Sequence, residues 1–323
     1  MTTALISSLQ NPVLLFFLLG LVAVAVHSDL DVPQPVPKVL AVYLLLSIGF
    51  RGGVELHRTG FTSEVLVGLG ASFAMAVAVP LYAFLWLRRR LDVSNAAALA
   101  ATYGSVSAVT FVAAASLLIS IDLPFGGHMA AALALMESPA IIIGVLLARR
   151  FGTPSAGRTG TTLLPHLREA LCNGSVLVIV GSLVIGFLTG DKGERALKPF
   201  TTDLFQGVLC LFLLDMGLVA GRRLGSVLQM GRWLAGFGIL FPLLNASLAL
   251  AIGKLLHMSA GNAFLFCVLC ASASYIAVPA AMRLAVPDAN PGLYLTAAIA
   301  LTFPFNIVLG LPLYLFAVQY LWQ

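Results

Sequence analysis

Residues 100–110 read Ala-Ala-Thr-Tyr-Gly-Ser-Val-Ser-Ala-Val-Thr, and residues 270–279 read Cys-Ala-Ser-Ala-Ser-Tyr-Ile-Ala-Val-Pro. Each stretch lies inside a long apolar run and contains a residue that disturbs helices, Gly104 in the first and Pro279 in the second. Glycine frees the backbone, whereas proline lacks an amide hydrogen and disfavours helix just before it. Both stretches therefore predict an unwound segment in the middle of an apolar helix.

Two serines lie two residues apart in each stretch: Ser105 and Ser107 in the first, Ser272 and Ser274 in the second. Residues two apart share a side in extended backbone but not in a helix. Hydroxyls combined with helix N-termini form a neutral site rich in donors, which suits a small oxyanion. The alternative is that these serines bond carbonyls of their own helix or pack against neighbouring helices.

The composition of the surrounding chain indicates a membrane protein. Of its 323 residues, 60% are hydrophobic and only 10% are charged, whereas a soluble domain has about 25% charged residues. So few charges could not cover a soluble protein of this size, which excludes an ordinary cytoplasmic enzyme and a disordered scaffold. The net charge is +5, but no dense basic stripe indicates nucleic-acid binding.

Apolar runs long enough to cross a bilayer predict an all-α integral membrane protein with ten transmembrane helices, of which the fourth and ninth are broken and cross each other. The second span is short, because Gly49, Gly52 and Gly53 interrupt its end. The predicted spans are about 12–26, 37–50, 62–87, 95–119, 127–148, 168–189, 202–220, 232–256, 261–286 and 292–321.

The positions of Lys and Arg predict that both termini lie outside. With that orientation, two thirds of the 18 basic residues, including Arg88–Arg90 and Arg149, fall on the cytoplasmic side, as the positive-inside rule requires. The sequence therefore predicts a multi-pass protein of the inner, or plasma, membrane.

The two halves of the chain resemble each other at nearly constant offsets. Since each half holds five spans, the second half enters the membrane from the opposite side, an arrangement typical of secondary transporters. We predict a first repeat at 1–150, a cytoplasmic linker at 151–165 and an inverted second repeat at 166–323. The landmarks pair 11–14 with 173–176, 46–53 with 214–221, 105–107 with 272–274 and Pro139 with Pro304.

Two acids lie deep within spans, Glu137 and Asp215. Acids inside a membrane are costly and are functional by default. Glu137 could bind Na⁺ or carry a proton, whereas Asp215 could bind an ion, pair with Arg222 or contact a neighbouring helix. Thr302 and Asn306, which flank Pro304, are weaker candidates. The histidines show no metal-ligand spacing, and no motif indicates an enzyme or a resident cofactor.

At these residues the sequence resembles the sodium-dependent bicarbonate transporter family, nearly end to end. The resemblance implies ten helices in a 5+5 inverted repeat, with gate and core domains that interleave helices from both repeats, and a site for bicarbonate and Na⁺ where helices four and nine cross. It also implies a homotrimer and, in some members, inhibition by a PII-like protein from the cytoplasmic side. The motifs that carry it are 48–53, 104–107 with Thr110, 137–140, 271–274 and 283–291.

The serine pairs, the two acids and the resemblance together predict two sets of site residues. The bicarbonate set is Gly104, Ser105, Ser107, Thr110, Ser272, Ser274 and Tyr275. The ion set is Glu137, Ser105, Ala271, Ser274 and Asp215.

The leading functional hypothesis is import of bicarbonate with Na⁺ as the coupling ion. A second keeps the fold but changes the cargo to another small anion, or the coupling to protons through Glu137, because Tyr275 narrows and reshapes the site. A third is a membrane-embedded binding or sensor module that does not transport. In each case the expected partners are a small anion and membrane lipid, and not nucleic acid.

Overall fold

The computed structural model describes residues 11–33, 35–152, 174–229 and 231–323. These residues form helices and no strand, which confirms the all-α prediction. The helices are α1 Pro12–Ala25, α2 Pro35–Thr59, α3 Ser63–Leu87, α4 Val93–Gly104, α5 Ala108–Ser120, α6 His128–Phe151, α7 Gly174–Lys198, α8 Phe205–Gln229, α9 Arg232–Leu255, α10 Ala260–Cys270, α11 Ala277–Ala285 and α12 Pro291–Leu321, which includes two π-helical stretches.

Seven helical segments in the described part of the chain are long and apolar enough to cross a membrane. One of them, Gly174–Val227, contains both α7 and most of α8, joined by a π-helical turn at Pro199–Asp203. Two further apolar helices, α1 and α10, are shorter. The chain is therefore a multi-pass membrane protein.

The predicted end of the second span is wrong. α2 continues through Gly49, Gly52 and Gly53 to Thr59. The glycines do not break the helix, because their role is to admit another backbone: a Cβ on Gly53 would overlap the carbonyl of Leu183 in α7. Most of the predicted linker 151–165, and the start of the predicted sixth span at 168, lie outside the described residues.

Two pairs of helices pack with their backbones in contact. In the α2–α7 pair, a Cβ on Gly186 would overlap the carbonyl of Phe50. In the α1–α8 pair, a Cβ on Gly20 would overlap the carbonyl of Leu214, and one on Gly217 would overlap the carbonyl of Phe17. Without a hydrophobic driving force between helices in lipid, such close packing is what holds helices together.

The remaining helices pack in two groups, which meet at the helix breaks and also where α10 contacts α3 and α6. α3 packs on α4 and α6, and α9 packs on α10, which also contacts α12. α5 contacts α10, and α11 contacts α4 and α6. The two broken segments therefore lie between the groups, where each faces the other.

Gly186 offers a test of the α2–α7 contact, with Gly181 of the same helix as a matched control. We expect Gly186→Ala to lower the free energy of unfolding by about 1–3 kcal/mol, since the new methyl group meets backbone that cannot move aside. Gly181→Ala should leave it unchanged or raise it, because no atom lies within 4 Å of the added Cβ. The measurement is thermal denaturation in detergent, and equal midpoints for the two variants would contradict the packing described.

Candidate substrate site at the two helix breaks

The first break spans Ser105–Ser107, between α4 and α5. Ser105 (φ −90°, ψ 178°) and Ser107 (φ −103°, ψ 108°) are both extended, as the sequence predicts. Gly104 contributes space: a Cβ there would lie 2.6 Å from Cδ of Pro80 in α3. Ser107 then starts α5 as its N-cap, because its Oγ accepts a hydrogen bond from the amide of Thr110 at 3.2 Å.

The second break spans residues 271–276, between α10 and α11. Pro279 lies in the first turn of α11, where a missing amide hydrogen costs nothing because that group has no helical acceptor. The sequence therefore predicts both breaks at the positions where the structure has them.

Each break donates a backbone hydrogen bond to the other. The amide of Ser107 donates to Oγ of Ser272 at 2.9 Å, and the amide of Ser274 donates to the carbonyl of Thr102 at 2.8 Å. All four residues are buried. Because a buried amide without an acceptor costs about 1–3 kcal/mol, these two bonds hold the unwound segments against each other.

Two asparagines satisfy the carbonyls at the end of α10. Nδ2 of Asn245 donates to the carbonyl of Cys270 at 3.0 Å, and Nδ2 of Asn306 donates to the carbonyl of Ala271 at 2.8 Å. The hydroxyl of Tyr314 in turn donates to Asn306 at 2.9 Å. The carbonyl of Ala271 therefore keeps one lone pair for a further ligand.

Asn245 is the residue that our sequence reasoning missed. Its side chain is fully buried in the middle of α9 and also accepts a hydrogen bond from Tyr82. The available signal was an amide inside an otherwise apolar span, since polar groups at that depth need partners from other helices. Thr302, a weaker sequence candidate, bonds the hydroxyl of Tyr103 at 2.7 Å and donates to the carbonyl of Gly238.

The hydroxyls of the first break have different partners. Ser105 donates to the backbone carbonyl of Glu137 in α6 at 3.1 Å. Ser107 accepts from both the amide and the hydroxyl of Thr110. Since a hydroxyl has two acceptor sites and one donor, the hydrogen of Ser107 remains for another acceptor.

Tyr275 brings a further donor to the same place. Its side chain is buried, its ring packs edge-on against Phe303 with centroids 5.4 Å apart, and its hydroxyl lies beside the Ser107 side chain. Among the described residues, no group meets the geometry of a hydrogen bond to the Tyr275 hydroxyl. A buried hydroxyl without a hydrogen bond is rare in native proteins, so this one is a candidate donor to a ligand.

The structure brings most of the predicted site residues together, but not all. Ser272, Ser274 and Thr110 join the network at the breaks, and Ala271 and Glu137 border it through their backbone carbonyls. Asp215 is buried in α8, and within the described residues no hydrogen bond joins it to either break.

Other charged groups near the predicted sites lie away from the breaks. Arg222, one of the partners considered for Asp215, forms its ion pair with Asp31 at 2.9 Å. Across the described ranges, no group of three or more His, Cys, Asp or Glu residues could hold a metal ion. Oxygen atoms available to a hard cation such as Na⁺ are therefore hydroxyls and carbonyls, with the carboxylate of Glu137 on the adjoining helix.

A cleft of about 450 Å³ lies between α2, α5 and the start of α6. Phe111, one turn after Ser107, and Phe205 form part of its wall. Its lining also includes five charged residues, namely Arg51, Glu55, Arg58, Asp122 and Glu194.

A family model described as the Na⁺-dependent bicarbonate transporter superfamily matches residues 12–319, almost the whole chain. The protein belongs to this superfamily. No curated protein sequence matches the chain. Membership indicates a transporter of bicarbonate.

Ser272 allows the bond between the breaks to be tested. Ser272→Ala removes the acceptor of the Ser107 amide, so we expect the free energy of unfolding to fall by about 1–3 kcal/mol. Ser247→Ala on α9 is the matched control, because its exposed hydroxyl bonds only the carbonyl of Leu243 in its own helix. The measurement is the denaturation midpoint of each variant in detergent. A wild-type midpoint for Ser272→Ala would show that the bond between the Ser107 amide and Ser272 is dispensable for stability.

Proposed function

We propose that this superfamily member imports bicarbonate as a secondary active transporter, with Na⁺ as the coupling ion. The observation that carries the proposal is the buried Tyr275 hydroxyl beside Ser107. Together with the remaining hydrogen of Ser107, it offers two donors to one small acceptor. A planar oxyanion with adjacent oxygens accepts from both, and charge-assisted bonds of this type are stronger than neutral ones.

The packing of the gate supports a 5+5 inverted repeat of ten helices. α1 pairs with α8 through Gly20 and Gly217, and α2 pairs with α7 through Gly49 and Gly186. Gly186 lies 166 residues after Gly20, and Gly217 lies 168 residues after Gly49. Each contact is thus the counterpart of the other under the offsets that relate the two halves.

This arrangement suits alternating access by rigid bodies. The gate consists of α1, α2, α7 and α8, and the core consists of the remaining helices with both breaks. Close backbone contacts make the gate stiff, while the breaks are joined to each other within the core. The core would then carry the bound anion past the gate.

The proposed orientation follows from the basic residues. With Arg88–Arg90 after α3 and Arg149 at the end of α6 on the cytoplasmic side, the ends of α2, α5 and α7 that surround the cleft face outward. An outward-facing cleft suits a protein that imports its substrate. Both termini are then outside, in a multi-pass protein of the inner membrane.

Coupling depends on the region between the first break and α6. Oγ of Ser105, the Glu137 carboxylate and the free lone pair of the Ala271 carbonyl are hard oxygen ligands of the kind Na⁺ requires. Ser274 and Asp215 complete the predicted ion set. Proton coupling through Glu137 is the alternative, because a buried carboxyl in a membrane helix can also carry a proton.

The family resemblance adds a homotrimer and a PII-like inhibitor acting from the cytoplasmic side to the proposal. The mass of the detergent-free particle in lipid nanodiscs tests the trimer. Co-purification with a PII-like protein tests the inhibitor.

Tyr275→Phe tests the substrate site. Loss of a donor to a charged ligand costs about 1.5–3 kcal/mol, so we expect bicarbonate affinity to fall about tenfold or more while thermal stability is kept. Tyr294→Phe is the matched control, because this hydroxyl is also buried without a hydrogen bond but lies beside Arg283. Calorimetry with bicarbonate in NaCl measures both, and an unchanged affinity for Tyr275→Phe would contradict the proposed contact.

Uptake of labelled bicarbonate into proteoliposomes tests function and coupling together. We expect uptake by the wild type to require an inward Na⁺ gradient, and Glu137→Gln to raise the Na⁺ concentration for half-maximal uptake, since an amide is a weaker ligand than a carboxylate. Asp215→Asn, compared in parallel, shows whether that acid shares the ion site. Uptake that follows a pH gradient in the absence of Na⁺, and is lost in Glu137→Gln, would identify protons rather than Na⁺ as the coupling ion.

A further inference from the structure

The cleft contains an arginine that the proposed site does not use. Arg51 is partly buried on α2, and its guanidinium carbon lies 5.9 Å from the centroid of the Phe205 ring. The neighbouring glycine, Gly52, meets the carbonyl of Gly127 closely, which holds this part of α2 against the start of α6. Arg51 is thus a partly buried cation in the lining of the cleft.

A second arginine in the cleft is already paired with carboxylates. Arg58, two turns further along α2, forms ion pairs with Asp191 at 2.8 Å, with Glu55 at 3.8 Å and with Glu194. Arg51 has no carboxylate within ion-pair distance in the described part of the chain, and Glu194 acts on it only at longer range. Glu55 and Glu194 of the cleft, together with Asp191, therefore pair with Arg58 and not with Arg51, which leaves the Arg51 guanidinium for a ligand.

The chemistry of that ligand follows from the guanidinium. Its planar fork of N–H donors matches two oxygens of a planar oxyanion, which it binds in bidentate fashion. The low polarity of the Phe205 face also weakens competition from water for the same donors. Bicarbonate has the same pair of oxygens as a carboxylate, so it fits this fork.

We propose that Arg51 is an outer binding residue for bicarbonate, which holds the anion in the cleft before it reaches the helix breaks. The inference rests on the proposed function. Phe111 is buried in the wall between the cleft and the start of α5, so the anion at Arg51 and the anion at the breaks occupy separate positions. Arg51 then determines how readily the substrate is captured, and the breaks determine how it is carried.

Uptake kinetics in proteoliposomes test this role. We expect Arg51→Gln to raise the KM for bicarbonate at least tenfold with little change in kcat, and Arg51→Lys to give a smaller increase, because an ammonium keeps the charge but not the fork. Arg195→Gln is the control. Arg195 is an exposed cation near the end of α7, the helix that supplies Glu194 to the cleft, but Arg195 itself does not line the cleft. An Arg51→Gln variant with the wild-type KM would overturn the proposal.

Thiol labelling separates failure of this inference from failure of transport. Glu55 lies one turn after Arg51 in the cleft, so Glu55→Cys introduces a thiol there, and a membrane-impermeant thiosulfonate reports its accessibility against the unsubstituted protein as background. We expect bicarbonate to slow labelling, and the added substitution Arg51→Gln to abolish this protection. Protection without any uptake would support bicarbonate binding at Arg51 and contradict the transport function. Uptake without protection would support transport and contradict binding at Arg51.

Discussion

The mutual hydrogen bonds between the two broken helices are the constraint on which the rest of the structure depends. Backbone that is unwound at membrane depth has no water to satisfy it, so it persists only where protein supplies the partners. Here the amide of Ser107 finds Ser272, and the amide of Ser274 finds the carbonyl of Thr102. Each break is tolerated because the other exists, and this requires the two halves of the chain to meet face to face.

That requirement explains the polar residues placed elsewhere in the apolar helices. Asn245 and Asn306 reach the carbonyls that α10 leaves free at its end, and Tyr314 supports Asn306. Partners from two different helices thus converge on one helix end. The region is rigid where carbonyls are already satisfied, and it remains open to a ligand where the hydroxyls of Tyr275 and Ser107 still have a hydrogen to donate.

The helix pairs α1–α8 and α2–α7 are held together by a different interaction. α1 with α8, and α2 with α7, rely on glycines that let backbones touch, because dispersion at short range is the main attraction between helices in lipid. The proposed gate and the proposed core thus differ in the interactions that hold their helices together. The cleft with Arg51 is lined by α2, which belongs to the proposed gate, and by α5, which belongs to the proposed core.

Much of the fold was readable in the sequence, since long apolar runs, Gly104, Pro279 and the repeated Ser-x-Ser pairs specify helices and their breaks through local rules. The prediction that the glycines of α2 interrupt a span is wrong for the same reason. A local rule treats Gly53 as a helix breaker, whereas in the structure Gly53 lets the backbone of Leu183 in α7 approach closely. Only the folded chain shows the partners of Asn245, the Tyr275 hydroxyl that lacks a described partner, and the difference in ion pairing between Arg51 and Arg58. Local backbone preference depends on neighbours in sequence, but hydrogen-bond and charge satisfaction depend on neighbours in space, which only the packing of the helices brings together.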